Sequence, residues 1–282
     1  MRSILMSAAA IAMLALTSCQ KEIDDENGNG GNTTVQAGTR LLKTVTISGA
    51  DSTQTNFTYN GAGKITYYAA SGISGGQPVD LRISLVRNTA GIIQKQITKS
   101  VDLLAFGIDS IVSNVNYDAA SSRYKNAITM ISIFGFTLMD SIAFNYDAGG
   151  KLLSQIDYLD DGSGMGYEPI TKSEFTYAGN NLLTQKVYSY DTNSSAFVLE
   201  ETYTFEYDAK INPLQFAAEA PIMGMSQFYS ASNVSKTTMV SATTPADNFV
   251  SNVTYTYNTA NRPLTGIETD GTSTATTTYT YQ

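Results

Sequence analysis

One pattern recurs along most of this chain and constrains its fold more than any other feature. It runs aromatic-x-Tyr, then Asp or Asn, a short Gly-containing turn, a basic residue and an aliphatic one. The clear copies are Phe57-Thr58-Tyr59-Asn60 with Gly63-Lys64-Ile65, and Phe144-Asn145-Tyr146-Asp147 with Gly150-Lys151-Leu152. Looser copies begin at Val115, Phe175, Phe205 and Tyr255, and the last is Tyr279-Thr280-Tyr281. Tyr117, Tyr146, Tyr177 and Tyr207 follow one another at 29, 31 and 30 residues. Tyr59 precedes Tyr117 by two such periods, and a degraded copy, Arg87-Asn88 with Gly91-Ile92, lies midway. A fixed period of this length means one supersecondary unit copied along the chain.

Each unit reads as a β-hairpin. Tyr203, Phe205 and Tyr207 alternate with Thr202, Thr204 and Glu206, which puts the aromatics on one face of a strand. The Asp or Asn after the Tyr can hydrogen-bond the backbone two residues on, and Gly supplies positive φ. A second strand follows, as at Leu152 to Tyr158, then a longer loop such as Asp160 to Gly164. Eight units of two strands predict an all-β fold over residues 39–282: an antiparallel meander of about 14–16 strands, closed or flattened into a barrel. A round barrel of that size has an interior too wide for wall side chains to fill. An aromatic face left outside in water would drive association. The Phe/Tyr face is therefore expected inside, with the walls pressed together or an inserted segment between them.

The period breaks once. Tyr207 and Tyr257 are 50 residues apart, so about twenty extra residues are expected between two hairpins, and the excess holds Asn212-Pro213-Leu214 and Phe216 to Met225 around Pro221. Two prolines exclude a central strand, because each removes a ladder donor. The segment is too apolar for a disordered loop. An inserted apolar segment near 210–230 is expected to fold inward or across one end, with Phe216, Ile222, Met223 and Met225 as its plug side chains. A mobile plug would also be the lid for any ligand.

The N-terminus carries a targeting signal. Arg2 precedes an apolar run from Ile4 to Leu16, too short to span about 30 Å of hydrocarbon. Leu16-Thr17-Ser18-Cys19 resembles the bacterial lipobox, in which the Cys thiol receives a diacylglycerol and becomes the first mature residue. Cys19 is the only cysteine. Residues 1–18 then form a signal peptide and residues 19–38 a lipidated Cys with a disordered tether. As a Gly-rich coil the tether has an r.m.s. span of about 25 Å. Lys21-Glu22-Ile23-Asp24-Asp25-Glu26 is similar to the acidic export signals that place Bacteroidota-type lipoproteins on the cell surface. A solvated charge run is the ordinary alternative.

The Tyr-Asp, Gly-Lys/Arg-Leu unit resembles the YD repeats of large bacterial toxin shells, whose period is shorter. With the lipobox and tether, residues 39–282 resemble a Bacteroidota-type surface lipoprotein family of unknown function with a porin-like β fold. The resemblance implies an outer-membrane, lipid-anchored location facing the cell surface and carries over no catalytic or binding residue.

Composition narrows the function classes. The chain has no His, which removes Ser-His and Cys-His nucleophile pairs and most transition-metal sites. A net charge of −8 without a clustered basic motif argues against nucleic acid as a partner. Ser122-Arg123-Tyr124-Lys125 matches Ser-x-x-Lys, yet that motif works on a helix and here falls at a turn. Asp160-Asp161 and Glu200-Glu201 are sequence neighbours, whereas glycosidic carboxylates converge across a substrate. Asp157 to Ser163 is too irregular for an EF-hand loop. Tyr188 and Tyr190 lie off the repeat's turn-proximal positions, and Ala127 to Met139 reads as apolar on both faces, as in a doubly buried strand. No catalytic residue, cofactor or metal is expected. The expectation is a non-enzymatic envelope lipoprotein, a binding or structural module held to the membrane through Cys19, with a glycan, lipid or protein ligand left open. The alternative is a carrier of a lipid or apolar ligand inside the barrel, with a hydrolase third. A membrane-spanning barrel would instead turn its aromatics outward.

Overall fold

The computed structural model describes residues 38–282 apart from 134, 135, 163 and 225. Sixteen strands in an antiparallel meander close into one barrel. The first eight are β1 (Leu41–Ser48), β2 (Asp51–Tyr59), β3 (Ile65–Ser74), β4 (Gln77–Arg87), β5 (Ile93–Ser100), β6 (Ile111–Asp118), β7 (Arg123–Ile133) and β8 (Phe136–Tyr146). The second eight are β9 (Leu152–Asp160), β10 (Glu168–Ala178), β11 (Asn181–Asp191), β12 (Ala196–Ile211), β13 (Ser232–Ser241), β14 (Phe249–Tyr257), β15 (Pro263–Thr269) and β16 (Thr274–Tyr281). Two short helices, α1 (Val101–Ala105) and α2 (Ala220–Met223), lie in the connections. β1 pairs with β16, placing Thr44 opposite Tyr279. Gly38 N–H donates to Gln282 O at 2.5 Å and Gln282 N–H to Arg40 O at 2.8 Å, so both ends of the described chain meet at one rim.

The repeat turns share one design. Asn60 Oδ1 accepts from Ala62 N–H and Lys64 N–H, both at 3.0 Å, while Gly63 N–H donates to Asn60 O. Asn88 and Asn258 repeat the arrangement, and Asp147 Oδ1 accepts from Lys151 N–H at 2.9 Å. Gly63, Gly91 and Gly150 take the left-handed conformation there, a role Asn261 fills in the last copy. Because each repeat is two strands long, every such turn falls at the same rim, the repeat-turn end. The other rim is the far end.

A register shift stands beside each turn, at Thr58/Tyr59, Asn116/Tyr117, Asn145/Tyr146, Thr176/Tyr177, Glu206/Tyr207 and Thr256/Tyr257. In each the extra residue lies on the strand after the turn, as Thr66 and Leu183 do, so the post-turn aliphatic, Ile65 or Leu182, joins the inner face opposite the tyrosine. The core holds Phe57, Ile65, Tyr68, Ile93, Leu182 and Phe205, with Tyr59, Tyr117, Tyr146, Tyr177 and Tyr207 packed against it. The aromatic face is thus inside. The outer face alternates with it: Arg82 lies between buried Leu81 and Ile83, and Lys172 and Lys186 sit on strands whose inward Phe175 and Leu182 are buried.

Two readings from sequence need correction. Ala127 to Met139 is not one doubly buried strand but parts of β7 and β8, paired as a hairpin, and Met130 opposite Met139 is 63 % exposed. Buried Ala127 and exposed Met130 stand on opposite faces of β7. Nor does the inserted segment fall between two hairpins. It interrupts a repeat turn: Lys210 N–H still donates to Asp208 Oδ1 at 2.9 Å, but β12 runs on to Ile211 and its partner resumes only at Ser232.

Gly72 tests how closely the strands are fitted. It has φ +138°, and a Cβ there would lie 2.0 Å from Ser52 O, a backbone atom that cannot step aside. Gly76 has open space around its Cβ direction. Gly72→Ala is expected to cost about 3 kcal/mol or more in urea unfolding, against about 1 kcal/mol for Gly76→Ala.

Candidate functional site

The segment between β12 and β13 lies inside the repeat-turn end. Leu214, Phe216, Ile222, Met223, Phe228 and Tyr229 are all buried in the common core. Phe216 packs edge-on against Phe228 at 5.9 Å, and Tyr229 against Phe175 of the wall at 5.4 Å. Pro221 is accommodated in the first turn of α2, where its missing N–H breaks no helical bond. Gly224 ends the helix in the left-handed conformation and donates to Ala220 O at 3.0 Å. Cys19 and Met225 lie outside the described residues.

Hydrogen bonds fix the segment to the wall at its base. Tyr207 Oη donates to Leu182 O at 2.5 Å and meets Ser230 Oγ at 2.8 Å, and Leu182 N–H donates to the same Oγ. Asn212 Nδ2 donates to Ser230 O, and Ala231 N–H to Asn180 O. Asp208 accepts from Asn233 and from Tyr257 Oη.

On the opposite side, one ion pair holds it. Glu219 receives a two-pronged contact from Arg87, NH1 to Oε1 at 2.5 Å and NH2 to Oε2 at 2.7 Å. The remaining guanidinium donors go to Ile65 O and Gly91 O. Lys64 Nζ stands 3.6 Å from the same carboxylate. Both partners are more than nine-tenths buried. β4 and β12 are eight places apart in a ring of sixteen, so this contact bridges the full width of the barrel. Arg87 occupies the tyrosine position of the degraded repeat copy. That substitution was the available signal in the sequence, read there only as decay of the repeat.

A cavity of about 70 Å³ lies against the segment, beside Lys151, Leu152, Tyr177 and Tyr229. That is far below the roughly 300–1,000 Å³ of a ligand pocket.

Toward the far end the inner face changes character. Thr44, Thr46, Thr55, Thr129, Ser173 and Thr277 point inward and are buried. Thr46 Oγ1 meets Thr277 Oγ1 at 2.8 Å, and Ser113 Oγ meets Thr129 Oγ1 at 2.7 Å. Among these hydroxyls stand inward carboxylates. Glu201 accepts from Tyr203 Oη at 2.8 Å and Glu268 from Ser251 Oγ at 2.5 Å. Asp157 accepts from Thr171 Oγ1 at 2.5 Å. Asp140 pairs with Thr129 in register on one side and Asp157 with Thr171 on the other, so the two acids are diagonal neighbours on one wall. Their Oδ1 atoms are buried without a protein donor. Burial, with the charge of Asp157 added, pushes Asp140 up to about 7; burial also raises Asp157, opposed by the Thr171 hydroxyl. Burial raises Glu268 as well. The rim beyond opens into a cavity of about 240 Å³ lined by Thr46, Ser48, Asp51, Thr53, Glu268 and Asp270. Its hydroxyl and carboxylate lining is suited to a polar ligand that donates hydrogen bonds.

The remaining sequence candidates are not assembled into a site. Ser122 is in a left-handed turn and Lys125 is exposed, with inward Tyr124 between them. Asp160 caps its own loop through Gly162 N–H. Glu200 accepts from Ser189 Oγ, apart from the Glu201 contact. Tyr188 donates to Glu174 on the outer wall, beneath Lys172. Among the described residues no group of three or more Asp, Glu, His or Cys could hold a metal.

No family model matches the chain, and no curated protein matches it significantly. Its fold is similar to that of solved structures. A porin-like protein from Bacteroides uniformis ATCC 8492 superposes with a TM-score of 0.51 at 11 % identity, covering 86 % of this chain and 98 % of that one. A porin-like protein from Bacteroides vulgatus ATCC 8482 gives the same TM-score and coverage at 9 % identity.

Two outcomes test this geometry. Arg87→Tyr restores the repeat's residue but strands Glu219, and is expected to cost about 3 kcal/mol in denaturant unfolding. Adding Glu219→Gln should recover part of that loss, and a strictly additive double variant would show that the pair is not coupled. For Asp140 the folded state keeps a proton that the unfolded chain releases near its ordinary 3.8. Stability is therefore lost as pH rises from about 4 to about 7, and Asp140→Asn should gain about 2 kcal/mol over wild type at about pH 8 and nothing at about pH 4.

Proposed function

We propose that this chain is a non-enzymatic cell-envelope lipoprotein, anchored through Cys19 and displayed on the surface as a binding module. The observation that carries the reading is the polarity of the wall. Arg82, Lys172, Lys186 and Lys236 sit in mid-strand on the outer face, while the aromatics pack inside. A lysine or arginine facing lipid at mid-membrane costs about 2–4 kcal/mol, so a belt of them belongs in water. A barrel of that kind reaches a membrane by an attachment, and the lipobox-like Leu16-Thr17-Ser18-Cys19 supplies one. The fold shared with the two Bacteroides proteins supports an envelope setting.

The binding face is the far end. The chain enters the barrel at the repeat-turn end, which the inserted segment fills, so an anchor upstream holds that end toward the membrane and leaves the polar mouth outward. The mouth offers Thr, Ser, Asp and Glu to a hydroxyl-rich or cationic ligand. An apolar cargo has no comparable space beside the plug, and native mass spectrometry of protein purified without denaturant tests the carrier alternative directly.

Cys19→Ala is expected to abolish acylation and move the protein out of the membrane fraction. Retention of the variant through an alkaline carbonate wash would mean that the barrel itself is inserted, and the reading would be wrong.

A further inference from the structure

We infer that the repeat-turn end is a docking face for an anionic membrane surface. Six basic side chains stand around that rim: Arg40, Lys64, Arg123, Lys151, Lys210 and Arg262. Their placement follows from the repeat, which sets a basic residue after the turn in most copies and brings all of these turns to one end.

The heads are held at the rim by the repeat's own tyrosines. Arg40 lies over the Tyr59 ring at 5.2 Å, Lys151 over Tyr177 at 5.5 Å and Lys210 over Tyr257 at 5.8 Å. Lys151 Nζ also donates to Gly179 O and Lys210 Nζ to Asn261 Oδ1. Four acids stand at this end against the six basic groups, and each is engaged locally. Asp118 and Asp147 cap backbone N–H groups of their turns, Asp208 serves Asn233 and Tyr257, and Glu219 is buried against Arg87. At the far end the loops carry Asp51, Asp109, Asp160, Asp161, Asp191 and Asp270. The barrel is thus basic at one end and acidic at the other, and an anionic surface attracts the first while repelling the second.

A membrane is the occupant because of where the chain enters. Gly38 is hydrogen-bonded into this rim, and Cys19 lies nineteen residues before it. Even fully extended, nineteen residues reach at most about 65 Å, so an acyl group on Cys19 keeps this face close to lipid headgroups. That last step rests on the lipoprotein reading. The electrostatic match does not, and the two can fail separately.

The test uses the chain from Gln20 onward, which keeps every described residue and lacks the acylation site. Co-sedimentation with vesicles containing about 30 mol % anionic phospholipid should exceed that with pure phosphatidylcholine, and should fall steeply as salt is raised to about 0.5 M. The triple variant Lys64→Gln, Lys151→Gln, Lys210→Gln should bind at least about tenfold more weakly. The wall variant Lys172→Gln, Lys186→Gln, Lys236→Gln should bind as wild type. Amine labelling of the vesicle-bound wild-type protein should protect Lys64, Lys151 and Lys210 and leave Lys172 and Lys186 reactive, which gives a result even if the triple variant folds poorly. Equal binding to both vesicle types, equal loss in the two variants, or the reverse protection pattern would overturn the docking face. Absence of lipid on Cys19 in cells, found by mass spectrometry, would overturn the anchor and leave the vesicle result standing.

Discussion

A circumference of sixteen strands is the constraint on which the rest of this structure depends. Closing β1 on β16 leaves no exposed edge, but it also creates an interior that wall side chains alone do not fill. The chain meets this differently in its two halves. Toward the repeat-turn end it supplies large aromatic rings and about twenty further residues between β12 and β13. Toward the far end it supplies threonine and serine, whose burial shows that the space there is also occupied. The inserted segment matters most, because it is secured at both sides of the barrel. Its base is hydrogen-bonded to β11 and β12, and its tip is held by Arg87 on β4. All five donors of that guanidinium have acceptors, which is the condition under which a buried ion pair can be tolerated.

The thirty-residue repeat does more than specify hairpins. Its Asp or Asn organises the turn, its tyrosine marks the bulge, and its basic residue covers a neighbouring ring. These roles are local, but a two-strand period adds them up at one end. The asymmetry between a basic rim and an acidic rim therefore needs no separate design. It arises because the connecting loops at the other end, outside the motif, are Asp- and Gly-rich turns. Several of those loop acids cap their own backbone, as Asp270 does with Thr272 and Ser273.

The sequence made the meander, the inward aromatic face and the inserted segment legible, because period and alternation are properties of neighbouring residues. It did not reveal Arg87 with Glu219, which are 132 residues apart and meet only when the barrel closes. A repeat copy lacking its tyrosine looks decayed until the partner of the substituted arginine is seen. The bulges were also hidden, since a register mismatch has no residue signature of its own. Asp140 could be placed on the inner row by counting outward from Phe144, but Asp157 reaches that row only because the bulge at Leu153 shifts the phase of β9. Their adjacency depends on the pairing of Ile142 with Asp157, which is set by register across strands and not by either strand alone. The insertion point within a turn was missed for a similar reason: Asp208 and Lys210 make the local turn contact even though the chain does not reverse there.

Closed sixteen-strand backbones accept either polarity, apolar outside for lipid or apolar inside for water, and the choice lies in side-chain phase. With a period of two, a slip of one residue moves every side chain of a strand to the other face. Here the phase is fixed twice in each repeat. Alternation sets Phe57 with Tyr59, Phe175 with Tyr177 and Phe205 with Tyr207 inward, and the bulge after the turn then brings Ile65, Leu182 and Val234 to the same side. Removing a bulge would turn that post-turn residue outward and re-aim the basic residue that precedes it at the rim. Interior packing, outer polarity and the charge of the rim are therefore not independent traits of this barrel. All three follow from one register decision made at the turn and repeated around the ring.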